Sequence, residues 1–338
     1  MEMRQLGKLW PVSALTLGGG GLGQIWGATT RAEAVATVRA AVDAGITLFD
    51  MAPSYGRGEA EAVMGAAFEG SWPDGIRVTT KCMIGGRHAP DIAARLEASL
   101  LRSLAAMKRE RADIYFLHSN ICPEGYVYRR DADFAHHAAV TLPVFVETVV
   151  PAFEALQARG LIGAWGITGT GLPRTIMDVL RDGPRPAVVQ AVANLLDSPG
   201  GMRYYEEPAE PRNIIRTAKN NDVGVMGIRA VQAGALTSAI DRKMDDSEPE
   251  MRDYARAAPF RALCREIGED PALVAHRYAL AIPGVDTLVL GVKNREELAS
   301  VVDAAACGPL EADLVKRIDA LRLNFQMPRM PIDGEDIS

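Results

Sequence analysis

Between residues 50 and 118 stand four side chains whose types suit proton transfer: Asp50, Tyr55, Lys81 and His118. A free phenol, with a pKa of about 10, is a poor acid–base group at neutral pH. A neighbouring ammonium favours its phenolate, and a carboxylate can hold that ammonium in place. Tyr55, Lys81 and Asp50 supply these three parts. An imidazole such as His118 can orient a substrate oxygen or share the proton transfer. Each residue taken alone has a plainer reading: an Asp–Lys ion pair, a tyrosine packed in a turn, a hydrogen-bonded core histidine. Their shared setting is what argues for chemistry.

That setting is the end of a strand. Thr47, Leu48 and Phe49 form a short β-prone run that ends in Asp50, and Pro53, Ser54 and Gly56 then force a turn carrying Tyr55. The runs 77–81 and 114–118 end in Lys81 and His118 in the same way. Apolar strands that each deliver one ionisable group at the carboxyl end are how a βα-barrel presents a catalytic site. Further strands are expected at 14–17, 164–168, 188–192, 223–228 and 287–290. Helices are expected at 32–44, 59–68, 92–107, 144–159, near 174–181 and at 214–221. The alternation predicts α/β architecture: a single (β/α)8 TIM barrel over residues 1–338, with an N-terminal β-hairpin at 3–12 and enlarged top-face loops. The 119–143 stretch is long for a βα loop, and it is expected to overhang the site and shape substrate choice. Residues 197–211 are a second top-face loop, 241–249 an acidic mobile connection, and 324–338 a C-terminal tail without periodicity.

Gly18, Gly20 and Gly23 formally satisfy GxGxxG. A Rossmann fingerprint needs its helix to open inside the glycine turn. Here the next helix is expected only at Thr30, which forms a capping box with Glu33. The glycines are read instead as letting backbone approach a ligand closely. The chain has 338 residues, 48% of them hydrophobic, and a net charge of −6. That content suffices for one large core, and no basic stripe suggests a nucleic-acid partner. The first thirty residues lack a signal-type apolar segment and no apolar run reaches ~18 residues, so a cytoplasmic protein without membrane partners is expected. Cys82, Cys122, Cys264 and Cys307 show no CxxC spacing and the five histidines no HxH pair, so neither disulfides nor a metal is expected.

Asp50, Tyr55, Lys81 and His118 stand in the order and at roughly the spacings of the aldo-keto reductase tetrad. Gly45-Ile46-Thr47-Leu48-Phe49-Asp50 is similar to that family's second-strand signature, and the resemblance spans about 15–305. It implies a nicotinamide-dependent oxidoreductase interconverting an aldehyde or ketone and an alcohol, with Tyr55 as general acid/base. The other three members of the tetrad would tune and orient it, with Asp50 also bordering the coenzyme. By the same resemblance Gly19 and Gly20 lie near the nicotinamide ribose. Trp26, Tyr55 and His118 would wall the substrate pocket, together with Cys122 from the long loop. Gln190 matches the family glutamine that holds the carboxamide. Thr168 stands where serine is usual, with Gly169 replacing the asparagine that commonly follows. Ile228, where many members stack an aromatic, belongs with Arg229, Ala230, Gly234 and Leu236 to a segment like the one covering the pyrophosphate. Gly291, Val292, Lys293, Asn294 and Glu297 resemble the turn at the adenine end. A 2′-phosphate wants a cation, and Lys293 and Arg295 are available, so NADP(H) is the first expectation and NAD(H) the alternative. Two rival readings remain. One is a Schiff-base aldolase using Lys81, which Asp50 disfavours by keeping the amine protonated. The other is a cofactor-binding regulatory subunit without useful turnover. The substrate, a small carbonyl or alcohol such as a sugar, steroid-like or terpenoid compound, is not set by these patterns. Reaction direction and oligomeric state are not set either.

Overall fold

Short buried runs of aliphatic residues alternate with alanine-rich helices, and the computed structural model of the chain describes residues 1–85, 89–129, 131 and 133–324. β1 (Met3–Gln5) and β2 (Pro11–Ser13) form an antiparallel hairpin. The ring begins with β3 (Leu15–Gly18), β4 (Leu48–Asp50), β5 (Arg77–Cys82) and β6 (Ala112–Leu117). After a two-stranded excursion of β7 (Asn120–Cys122) and β8 (Ala139–Thr141), it continues with β9 (Ile162–Thr168), β10 (Val188–Val192), β11 (Gly224–Ile228) and β12 (Thr287–Leu290). The eight ring strands pair in parallel, and β12 returns to β3 to close a barrel. A parallel barrel is covered by helices outside and filled by side chains inside, so its strands read as nearly unbroken apolar runs. Leu6 and Val12 of the hairpin pack with Leu48, Ile114, Phe116, Val188 and Met226, sealing the end where the strands start. The larger core lies between barrel and helices; Leu96, Leu100 and Leu104 contribute one buried face of the helix Ala89–Met107. Ionisable residues at the strands' carboxyl ends therefore emerge at the opposite, open end.

Four stretches differ in detail from the sequence expectation. The glycine run does not stay extended as far as Thr30; it winds at once into one helical turn, Gly19–Leu22. No side chain obstructs that turn, and a Cβ at Gly18 would lie 2.4 Å from the Leu290 carbonyl oxygen of β12. The Thr30 cap is present as well, accepting from Glu33 N ahead of the helix Arg31–Asp43. Among the described residues of 119–143, β7 and β8 pair in parallel beside a short helix, Phe134–Ala138; three-residue strands are too short to show a period. The helix expected at 144–159 is present as one continuous run, Leu142–Val144 and Val150–Ala158 joined by a π-helical turn, Phe145–Val149. The acidic 241–249 stretch leads into three successive helices, Pro249–Arg256, Ala258–Ile267 and Pro271–Leu280. Of the tail, 325–338 lies outside the described residues. Among the described residues no helix is long and apolar enough to cross a membrane.

One buried carboxyl in this scaffold has a testable consequence. Glu61, on the helix Glu59–Phe68, is 3% exposed and accepts a 2.6 Å hydrogen bond from Thr80 Oγ1. Burial holds its pKa above the ordinary value against the pull of Thr80, Ser103 and Lys81. A folded-state pKa raised in this way gives stability below the unfolded pKa that is lost as pH rises through the folded one. Glu61→Gln is therefore expected to raise Tm by about 2 °C near pH 8 and to leave it unchanged near pH 4. Thermal melts at both pH values test this, and an equal shift at both would overturn it.

Candidate active site

β4 stops at Asp50, which pairs in register with Thr79 of β5, so the Lys81 side chain emerges just beyond it on the barrel interior. Thr79 Oγ1 and Gln190 Nε2 both donate to Asp50 Oδ1, at 2.6 and 2.7 Å, the glutamine reaching across from β10. Lys81 Nζ donates to Asp50 Oδ2 at 2.8 Å and to the Met51 carbonyl at 2.9 Å. The pair is sealed, with Lys81 0% and Asp50 2% exposed. Lys81 Nζ stands 4.7 Å from the Tyr55 ring centroid. His118 follows β6, anchored by its backbone N–H to the Cys82 carbonyl at 2.8 Å. Its ring meets Tyr55 edge-on at 6.3 Å. The structure thus brings all four tetrad residues together.

Burial tends to strip Lys81 of its proton, but the Asp50 and Tyr55 charges and hydrogen bonds outweigh it, and the pKa rises. An ammonium whose proton is held by such partners is a poor amine nucleophile. For Tyr55 the balance runs against the simple expectation: burial raises its pKa by more than Lys81 lowers it, so the resting phenol keeps its proton. Burial, with the Lys81 charge adding to it, pulls His118 down to about 3. Because His118 is only half-buried along the cavity wall, water in the open cavity softens that shift, but the imidazole stays neutral at pH 7. The site therefore offers a neutral proton donor, a neutral hydrogen-bonding ring and a fixed cation behind them.

A cavity of about 630 Å³ opens from Tyr55 and His118. It is lined by Gly20, Trp26, Asp50, Thr168, Gln190, Ile228, Arg229, Ala230 and Gly234, and further along by Gly291, Val292, Lys293, Asn294 and Glu297. Most expected coenzyme contacts are thus on one surface. Three expected residues are not. Gly19 faces Met51 and Ala60, Leu236 is buried with Leu195, Leu196 and Phe260, and Cys122 packs against Tyr128 and Phe134. Trp26 lies directly on two of the lining glycines: a Cβ at Gly20 would strike Trp26 Nε1 at 2.4 Å, and one at Gly291 would sit 3.2 Å from the same ring. None of the described residues in 119–143 lines the cavity. That stretch instead joins the segment after β10, where Phe134 stacks on Tyr204 at 3.9 Å and the Tyr126 hydroxyl donates to Glu207. Met202, in the same segment after β10, does line the cavity.

The segment after β11 lines the cavity with Arg229, Ala230, Val231, Ala233, Gly234 and Thr237. Arg229 and Ala233 hold left-handed backbone, at φ 62 and 51, a conformation that tertiary bonds must sustain. Arg229 supplies them: its Nε donates to Gln232 Oε1 at 2.7 Å and its Nη2 to Glu250 Oε1 at 2.6 Å. Further on, Arg242 lies 5.4 Å over the Trp26 ring, and Asp241 meets Lys293 Nζ at 2.6 Å. Met202, Asp241, Arg242, Asp270, Leu273 and His276 line the cavity without having been picked out beforehand. Only Asp270 carried a local signal, as the Asp-Pro cap of the helix Pro271–Leu280. Among the described residues no three His, Cys, Asp or Glu side chains cluster to hold a metal ion.

Comparison with known proteins agrees with this geometry. The model of the Aldo/keto reductase family matches residues 14–323. L-galactose dehydrogenase of Arabidopsis thaliana is 26% identical over 332 residues, covering 95% of this chain and 94% of that protein. D-threo-aldose 1-dehydrogenase of a Pseudomonas species is 25% identical, over 87% and 90%. The structure of a glycerol dehydrogenase from Gluconobacter oxydans superposes with a TM-score of 0.68 at 21% identity, covering 99% of each chain. The aldolase and regulatory-subunit readings gain no support from any of these. A closed parallel barrel, a buried Asp–Lys pair behind a protonated tyrosine and a family match over nearly the whole chain have one common explanation: this chain belongs to the aldo/keto reductase family and is a nicotinamide-dependent oxidoreductase that interconverts a carbonyl and an alcohol.

Proposed function

We propose that the chain is an NAD(H)-linked dehydrogenase of sugar-like substrates, with Tyr55 moving the proton at the substrate oxygen. The observation that carries the coenzyme choice is the pairing of Lys293, whose Nζ meets Asp241 Oδ2 and Glu297 Oε1, both at 2.6 Å. Arg295 is likewise taken, with its backbone N–H and guanidinium donating to Glu33. A 2′-phosphate of about −2 charge would meet carboxylates here, where NADP(H) calls for unpaired cations. On this ground we favour NAD(H) over the NADP(H) expected from Lys293 and Arg295 alone. The bound nicotinamide supplies or accepts the hydride. Tyr55 donates its proton to a carbonyl or, once ionised, takes one from an alcohol. His118 orients that oxygen, and Lys81, held by Asp50, stabilises the phenolate. Gln190 spends its amide nitrogen on Asp50, leaving its oxygen free to accept from a carboxamide. The sugar class is supported by the names of the two relatives, a galactose and an aldose dehydrogenase, each matched over most of its length.

Fluorescence titrations are expected to show NADH binding tighter than NADPH by roughly tenfold or more, a difference of about 1.4 kcal/mol. Asp241→Asn with Glu297→Gln frees Lys293 and should move the ratio about tenfold towards NADPH. Equal or tighter NADPH binding by the unaltered chain would overturn the coenzyme choice. Turnover of steroid-like or terpenoid alcohols, with none of aldoses, would overturn the substrate class.

A further inference from the structure

The cavity end remote from Tyr55 and His118 is walled by two helices, Pro271–Leu280 and Arg295–Ala306. Leu273 and Val301 give it apolar sides, and His276 lies among them at 7% exposure. His276 Nδ1 sits 2.7 Å from the Ala272 carbonyl oxygen, one turn earlier on its own helix. A carbonyl can only accept, so Nδ1 carries the ring hydrogen and, in a neutral ring, Nε2 is a bare acceptor. Burial pulls the His276 pKa below its ordinary value, against the Ala272 carbonyl and the charges of Asp270 and Glu297, so the ring is neutral at pH 7. Nε2 has no hydrogen-bond partner among the described residues. His276 is one of the residues that line the cavity. An acceptor nitrogen on a cavity wall can take a hydrogen bond from a bound donor.

The geometry points to His276 as the residue that reads the coenzyme base, its Nε2 accepting a hydrogen bond from the exocyclic amine of an adenine held between the two helices. This rests on the nicotinamide-dinucleotide reading of the cavity. With the nicotinamide beside Tyr55, the extended molecule has its other base at this end. Adenine's ring nitrogens N1, N3 and N7 are all acceptors, and its exocyclic amine is its one donor group along the edge. An acceptor on the protein can therefore pair only with that amine. Hypoxanthine, which carries a carbonyl at the same position, would set acceptor against acceptor.

The test is a pair of fluorescence titrations of the full chain with NADH and with its hypoxanthine analogue, deamino-NADH. NADH is expected to bind roughly tenfold tighter or better. His276→Phe keeps a ring of similar size but removes the acceptor. It should weaken NADH about tenfold and the analogue less than threefold, collapsing the preference. His276→Gln, whose amide oxygen can accept, should restore part of it. Equal affinity of the unaltered chain for both compounds would overturn the base assignment while leaving the coenzyme reading standing, and needs no variant to fold. Binding of neither compound would strike the coenzyme reading itself.

Discussion

Tyr55→Phe is expected to lower kcat by about 10²–10⁴-fold, the range of positioned acid–base groups, while the coenzyme Kd changes less than threefold. Phenylalanine keeps the edge-on contact with His118 and the ring beside Lys81, so the fold and cavity survive. What disappears is the phenolic proton at the reacting oxygen. The pH dependence follows from the direction of the shift. Burial keeps Tyr55 protonated at neutral pH, so carbonyl reduction should be flat there and decline only in alkali. Alcohol oxidation needs the phenolate and should climb with pH over the same range. His118, pulled down to about 3, adds no second limb between pH 5 and 9. Initial rates in both directions from pH 6 to 10, with a coenzyme titration of the variant, measure all of this. A Tyr55→Phe variant that kept more than a tenth of the activity would remove Tyr55 from its role.

Lys81→Met should damage both stability and turnover. Removing the ammonium leaves the Asp50 carboxylate 2% exposed, with Thr79 and Gln190 as its remaining donors. Breaking a buried ion pair by deleting one partner costs about 3–5 kcal/mol, a Tm loss of about 4–7 °C for a chain of this size. Without the cation Tyr55 is harder still to ionise, so oxidation should suffer more than reduction. Asp50→Asn combined with Lys81→Met separates the two effects. The double variant no longer buries a lone charge and should regain most of the lost stability, yet it should stay inactive. Recovery of turnover in the double variant would make the pair structural only.

The tetrad was legible because each member ends, or closely follows, an apolar run too short for anything but a buried strand. The barrel was legible for the same reason, since the strand at 188–192 and the helix at 59–68 are bounded by clear turn residues. The coenzyme end was only half legible. Lys293 and Arg295 announce positive charge locally, and Glu297 pairs with Lys293 from four positions on, but the other carboxylates that cancel it, Asp241 and Glu33, lie 52 and 262 positions away. Cys122 sits in a stretch of polar and aromatic residues that looks solvated, and only the pairing of β7 with β8 shows it to be enclosed. His276 falls on a helix with an ordinary amphipathic pattern. Nothing nearby in the sequence says that one face of that helix borders a cavity.

Closure of the ring between β12 and β3 also bears on how the enzyme is made. Thr16 and Thr287 share a 2.7 Å hydrogen bond across 271 positions. During synthesis the first barrel strand therefore waits, one edge unpaired, until almost the whole chain has left the ribosome. Unpaired strand edges are templates for intermolecular association, and parallel pairings over such distances form slowly because loop closure must precede the contacts that reward it. The Asp50 carboxylate waits too, since Gln190 lies 140 positions downstream. The nascent chain, rather than the finished barrel, is thus the form most exposed to aggregation, and chaperone protection matters most before residues 287–290 emerge.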